Sequence, residues 1–166
     1  MNFCRKAYSI VGALLLLEYV LQFLFIGAAI FGLVVANPAN NAPSTYAAFH
    51  SGNSDLYYNL HVINGVFVIA ITTLVLWAFS FGAKYPDRTI RLTGLLVLLL
   101  IVQDLLAGGL PFVPVFLFQF PALVAGLHPV TGTIMLTVAT WLVYKHWAFG
   151  ARGKKVMQLS PANPKP

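Results

Sequence analysis

All ten Lys and Arg residues fall in three places: the first seven residues, the stretch 82–91, and the C-terminal end from Lys145 onward. Between these places lie two long intervals without a positive charge, and each is filled by two apolar runs. A bilayer core takes a helix of about 20 apolar residues. In lipid such a run must satisfy its backbone groups within itself, which a helix does. The runs therefore read as four membrane helices, over residues 8–35, 60–81, 92–110 and 121–147. Only 8% of the chain is charged, against about 25% in a soluble domain.

The class follows as all-α integral membrane. The first run is well beyond the roughly 7–15 residues of a signal-peptide core, so it reads as a retained helix. Basic residues collect on the cytoplasmic side of membrane helices. That rule puts both termini and the 82–91 loop in the cytoplasm and the two other loops outside. The expected architecture is a four-transmembrane-helix, up-down-up-down bundle in one domain, residues 1–149. A basic, Pro- and Asn-rich cytoplasmic tail covers 150–166. The net charge of +6 sits at the membrane flanks, so no nucleic-acid partner is expected. Cys4 is the only cysteine, which excludes an intrachain disulfide and a cysteine metal cluster.

A repeat runs through the four helices. Leu60-His61-Val62-Ile63-Asn64-Gly65 opens the second and Leu127-His128-Pro129-Val130-Thr131-Gly132 opens the fourth, each reading Leu-His-x-x-x-Gly. Thr73 and Thr140 extend the match, both twelve residues past their histidine. In the first and third helices Gln22 and Gln103 are each followed five residues later by a glycine, Gly27 and Gly108. The chain thus reads as two similar helical hairpins.

The second and fourth helices run the same way, with each histidine expected in the first helical turn. His61 and His128 should then lie at similar depth near the outer face, opposed across the bundle axis. Polar residues in a bilayer are costly and face the interior or a functional path. Histidine is a recurrent axial ligand of heme iron. Gly65 and Gly132 lie one turn deeper on the same faces, leaving room for a flat group. The site expected is one heme b, with His61 and His128 as iron ligands and Gly65, Gly132 and Asn64 lining it. A copper or zinc site would be short of ligands at these motifs. The structural alternative is that the histidines bond between helices and the glycines permit close packing.

The run Gln103-Asp104-Leu105-Leu106-Ala107-Gly108-Gly109, then Leu127-His128, resembles the third and fourth helices of the heme A synthase family. The His61 helix resembles that family's second helix. The likeness covers roughly residues 8–147 and matches one four-helix half of the family. It also fits a small four-span membrane family with the same His-x-x-x-Gly helices. The resemblance implies a bis-histidine heme site. In that family an acidic catalytic residue stands three positions before the second-helix histidine; here that position is Tyr58. The arginine common after that histidine is Val62 here. Heme A synthesis is therefore not expected, and no catalytic residue is assigned.

The function expected is that of a small b-type membrane cytochrome exchanging electrons with a quinol, hence a possible quinone site, or with a partner subunit. The alternatives are a non-enzymatic structural subunit of a larger, respiratory-type complex and a homodimeric heme-modifying enzyme. The lipid bilayer is one partner. A second copy or another membrane subunit is expected along Gly27, Ala28, Ala29 and Gly32. The location expected is a prokaryotic plasma membrane, crossed several times. Glu18 reads as a proton carrier, a quinone contact or a hydrogen-bonded carboxyl between helices. Asp104 is a candidate to orient a histidine, and donors to heme propionates are sought among Tyr57, Tyr58, Asn59, Asn64 and His50. His146 reads as an interfacial residue.

Overall fold

The computed structural model describes residues 3–36, 53–107 and 121–147. The loop holding His50, the aromatic segment 112–119 and the tail 150–166 lie outside them. Among the described residues the chain is all-helical: α1 (Phe3–Ala36), α2 (Asn53–Ile63), a π-helical segment (Asn64–Ile69), α3 (Ala70–Gly82), α4 (Asp87–Leu106) and α5 (Pro121–His146). Four of these stretches are long and apolar enough to cross a membrane: Phe3–Gly32, Leu56–Gly82, Asp87–Leu106 and Gly126–His146. This is the architecture of a multi-pass membrane protein.

The helices begin earlier than the apolar runs do. α1 starts at Phe3 and α2 at Asn53. Pro86 is extended and precedes α4, whose first turn holds Asp87 against the positive helix end. Arg88 and Arg91 therefore belong to a helix rather than to a loop. His61 and His128 likewise lie about two turns inside their helices, not in the first turn: polar residues carry α2 outward from Leu60 to Asn53, and the apolar stretch from Pro121 precedes His128 in α5.

Each span packs chiefly on its chain neighbours, and the last closes back onto α1. This leaves the second and fourth spans opposite each other. Tyr8, Leu15, Tyr19, Ile69, Leu76, Leu96, Leu100, Met135, Ala139 and Leu142 form the core. Large apolar side chains also face outward; Phe31 is 70% and Phe67 60% exposed. Where lipid is the solvent, that outward face carries no penalty. Ala29 is fully buried while a side chain at Gly27 would meet open space, so the small residues of α1 do not share one outer face.

The second span departs from a plain α-helix. Its buried positions are Asn64, Ile69, Thr73, Leu76 and Ser80. The first step is five residues, one wider than an α-helical face allows, and the later steps are three or four. A π turn supplies that wider step. It lets Asn64 reach α1 while Ile69 still enters the core. The fourth span has no such insertion: Thr131, Met135, Ala139 and Leu142 follow in ordinary steps. The two helices therefore fall out of register below the shared motif. Thr73 is fully buried, whereas Thr140 is exposed and donates to its own Leu136 carbonyl at 2.7 Å. The sequence match of these threonines is not a structural one.

At the basic end of the bundle the interior is polar and closed. Tyr8 Oη pairs with Thr93 Oγ1 at 3.0 Å, and Thr93 donates to Thr89 O. Thr89 Oγ1 meets His146 Nε2 at 3.1 Å, and Ser9 donates to His146 O. His146 also stacks 4.3 Å from Tyr85, so it is a packed member of this end. Arg5 donates to Ala83 O and lies over the Tyr85 ring. Burial pushes the Tyr85 phenol up, and the Arg5 guanidinium pulls it back.

Candidate functional site

The opposite end of the bundle holds both motif histidines. The imidazole centroids of His61 and His128 are 6.3 Å apart, with ring planes at 64°. Each ring is met by a glutamine from the helix before it. Gln22 Nε2 is 3.3 Å from His61 Nε2, and Gln103 Nε2 is 3.2 Å from His128 Nε2. The repeat legible in the sequence is thus a physical one: Gln22 with His61, Gln103 with His128.

Fixed acceptors determine which atoms donate on the first side. The Glu18 carbonyl can only accept, so the Asn64 amide facing it at 3.0 Å is Nδ2. The same nitrogen donates to Gln22 Oε1 at 2.9 Å, which turns the Gln22 NH2 group toward His61 Nε2. His61 Nε2 must then accept, with its lone pair facing the amide. Its other nitrogen, Nδ1, carries the proton and donates to the Gln22 carbonyl at 3.2 Å. One residue, Gln22, therefore orients the ring through its backbone and covers the remaining nitrogen through its side chain.

The second side is built alike but looser. Thr131 stands where the first motif has Asn64, and its hydroxyl is spent on Leu127 O. Among the described residues nothing holds Gln103 Oε1, which is buried without a hydrogen-bond partner, as is His128 Nδ1. It is Gln103 and not Asp104 that reaches the histidine.

The glycines have a use that spacing alone did not reveal. A Cβ on Gly65 would stand 2.7 Å from Gln22 Nε2, and one on Gly132 would stand 3.5 Å from Gln103 Nε2. The Gln22 amide takes the space a side chain at Gly65 would need, whereas the Gln103 amide leaves room for a Cβ at Gly132. Asn64 is buried in this network, so its amide donates to α1 rather than toward a propionate. Deeper in the bundle Glu18 accepts from Thr72 Oγ1 at 2.9 Å through one oxygen, and its other oxygen is buried without a partner. Tyr58 is half-buried one turn before His61.

Gln22 and Gln103 were visible only as marks of the repeat. The signal that could have given them a role was their position before each histidine helix, since polar side chains in a bilayer seek one another. Among the described residues no group of three or more His, Cys, Asp and Glu side chains gathers. Two imidazoles alone suit a centre whose remaining ligands come from elsewhere, not a four-coordinate zinc site.

Two imidazoles that shared one metal, each at a metal–nitrogen distance of about 2 Å, would have their centroids within roughly 6 Å of each other. The His61–His128 separation of 6.3 Å agrees with that span. The His61 tautomer also suits it, because the nitrogen holding the lone pair is Nε2 and the ring is oriented from behind by a carbonyl. No family model, curated protein or solved structure matches this chain.

Proposed function

We propose that this protein is a small b-type membrane cytochrome holding one heme between its second and fourth spans, with His61 and His128 as axial ligands. The observation that carries the reading is the opposed pair of imidazoles, 6.3 Å apart and contributed by the same motif on two facing helices. Heme b bound there supplies a one-electron couple. The residues do the rest. The Gln22 carbonyl keeps His61 Nδ1 protonated and leaves the lone pair on Nε2. Gly65 and Gly132 stand beside the Gln22 and Gln103 amides that cover each ligand. The surrounding apolar spans exclude water, which with the axial ligands sets the potential.

In this reading the bundle is up-down-up-down with both termini cytoplasmic, in a prokaryotic plasma membrane. The absence of Lys and Arg from the two other loops supports that orientation. The site then lies toward the outer face and exchanges electrons with a quinol or a partner subunit. The likeness to one half of the heme A synthase family supports a heme site, while Tyr58 at the acidic position argues against that family's catalysis.

A second reading, a structural subunit of a larger membrane complex, draws on one observation. Both nitrogens of His61 already have partners within the protein, as an interhelical tie would. Hemin titration of the purified protein separates the two. The cytochrome reading expects stoichiometric uptake with a six-coordinate low-spin spectrum, turning high-spin or failing in His61→Ala and His128→Ala. Absence of uptake by folded protein would leave the structural reading.

A further inference from the structure

We infer that Gln22 and Gln103 are displaceable caps on the two histidine nitrogens, exchanged for the metal centre when the site loads. The inference rests on the heme reading for its purpose and on the hydrogen bonds for its content. Each cap has the same three parts: a glutamine on the preceding helix, a histidine Nε2 accepting from its amide, and a glycine one turn later beside that amide, which takes the place of a Cβ at Gly65 and only touches it at Gly132. A buried lone pair without a donor is unfavourable, and so is a buried amide without an acceptor. Pairing them keeps the ligand-free bundle closed in a membrane, where water cannot satisfy either group.

The arrangement also lets the cap leave without losing the ligand. His61 is held by the backbone carbonyl of Gln22, which stays in place when the Gln22 side chain turns away. Coordination through Nε2 and the cap on Nε2 exclude each other, since both use one lone pair. The glutamines therefore act through the histidines as positioning residues that tune how readily the site fills. The two caps are unequal. The Gln22 amide is braced by Asn64 at 2.9 Å, whereas Gln103 Oε1 has no partner among the described residues. The His128 side is the one that opens first.

Methionine matches glutamine in length and lacks the donor, so Gln103→Met and Gln22→Met remove a cap without emptying its seat. In heme-free protein in detergent micelles, 15N spectra of labelled histidine should show Nδ1-protonated rings. Gln22→Met should move the Nε2 resonance of His61 alone, and Gln103→Met that of His128 alone. With hemin as the probe, each variant should bind about fivefold to tenfold tighter, the exchange of one hydrogen bond, with an unchanged low-spin spectrum. Gln103→Met is the cleaner test, because it strands no braced partner. Weaker or unchanged hemin binding in Gln103→Met would overturn the inference. So would unmoved Nε2 resonances in the heme-free variants. If the wild type takes up no hemin, the cytochrome reading fails, and the 15N comparison still decides whether the caps exist.

Discussion

Alanine at the two motif glycines should have unequal effects, although the sequence makes the positions equivalent. At Gly65 a Cβ would stand 2.7 Å from Gln22 Nε2, closer than side chains approach, so the amide must move. That amide group is tied to Asn64 at 2.9 Å and to His61 at 3.3 Å. Losing two such bonds costs about 1–3 kcal/mol. Replacing glycine within a helix by alanine returns about 1 kcal/mol. Gly65→Ala should therefore lie between neutral and about 2 kcal/mol destabilised. At Gly132 the same Cβ meets Gln103 Nε2 at 3.5 Å, an ordinary contact. Gly132→Ala should keep its amide bond and gain up to about 1 kcal/mol. Denaturation by SDS in mixed micelles, followed by circular dichroism, measures both. The expected order is Gly132→Ala above Gly65→Ala, separated by about 1–3 kcal/mol. Equal stabilities, or the reverse order, would refute the seating of the glutamine amides.

Thr131→Asn places an amide at the motif position of Asn64, as the donor that Gln103 Oε1 lacks among the described residues. The denaturation midpoint should rise by the equivalent of about 0.5–1.5 kcal/mol, and a fall would count against the proposed equivalence of the two sides. At the basic end, Tyr8→Phe removes the 3.0 Å bond to Thr93 from a fully buried position. Thr93 still donates to Thr89 O, so the loss should stay near 1 kcal/mol in the same assay; a value several times larger would mean that the His146 end acts as one unit. Tags at the N-terminus and at Lys165 should be protected in intact cells and a tag at Asn40 accessible. A cytoplasmic Asn40 would invert the exchange face.

The spans could be read from the sequence because membrane length and charge placement are nearly one-dimensional constraints. The histidine pair could be read because the same motif occurs twice. What escaped depends on packing partners. The π segment exists because Asn64 must reach α1 while Ile69 enters the core, and neither demand shows until α1 is in place. An Asn-Gly pair inside an apolar helix was its only local sign. Thr73 and Thr140 looked equivalent for the same reason: counting residues assumes one helical pitch. The glycines were assigned to a flat ligand, because spacing does not reveal that a glutamine from the neighbouring helix fills the space. The helix starts were misjudged where polar residues carry a helix beyond its apolar run, as at Asn53 and Asp87.

In the proposed cytochrome His61 and His128 hold one iron between them. Pulsed electron paramagnetic resonance of the oxidised, hemin-loaded protein, with 15N-labelled histidine, counts the coordinated imidazole nitrogens directly. A low-spin ferric centre with two coordinated histidine nitrogens is expected, reduced to one or lost in both His61→Ala and His128→Ala, and unchanged in His146→Ala. A centre that keeps both nitrogens without His61 or His128, or that depends on His146, would contradict it.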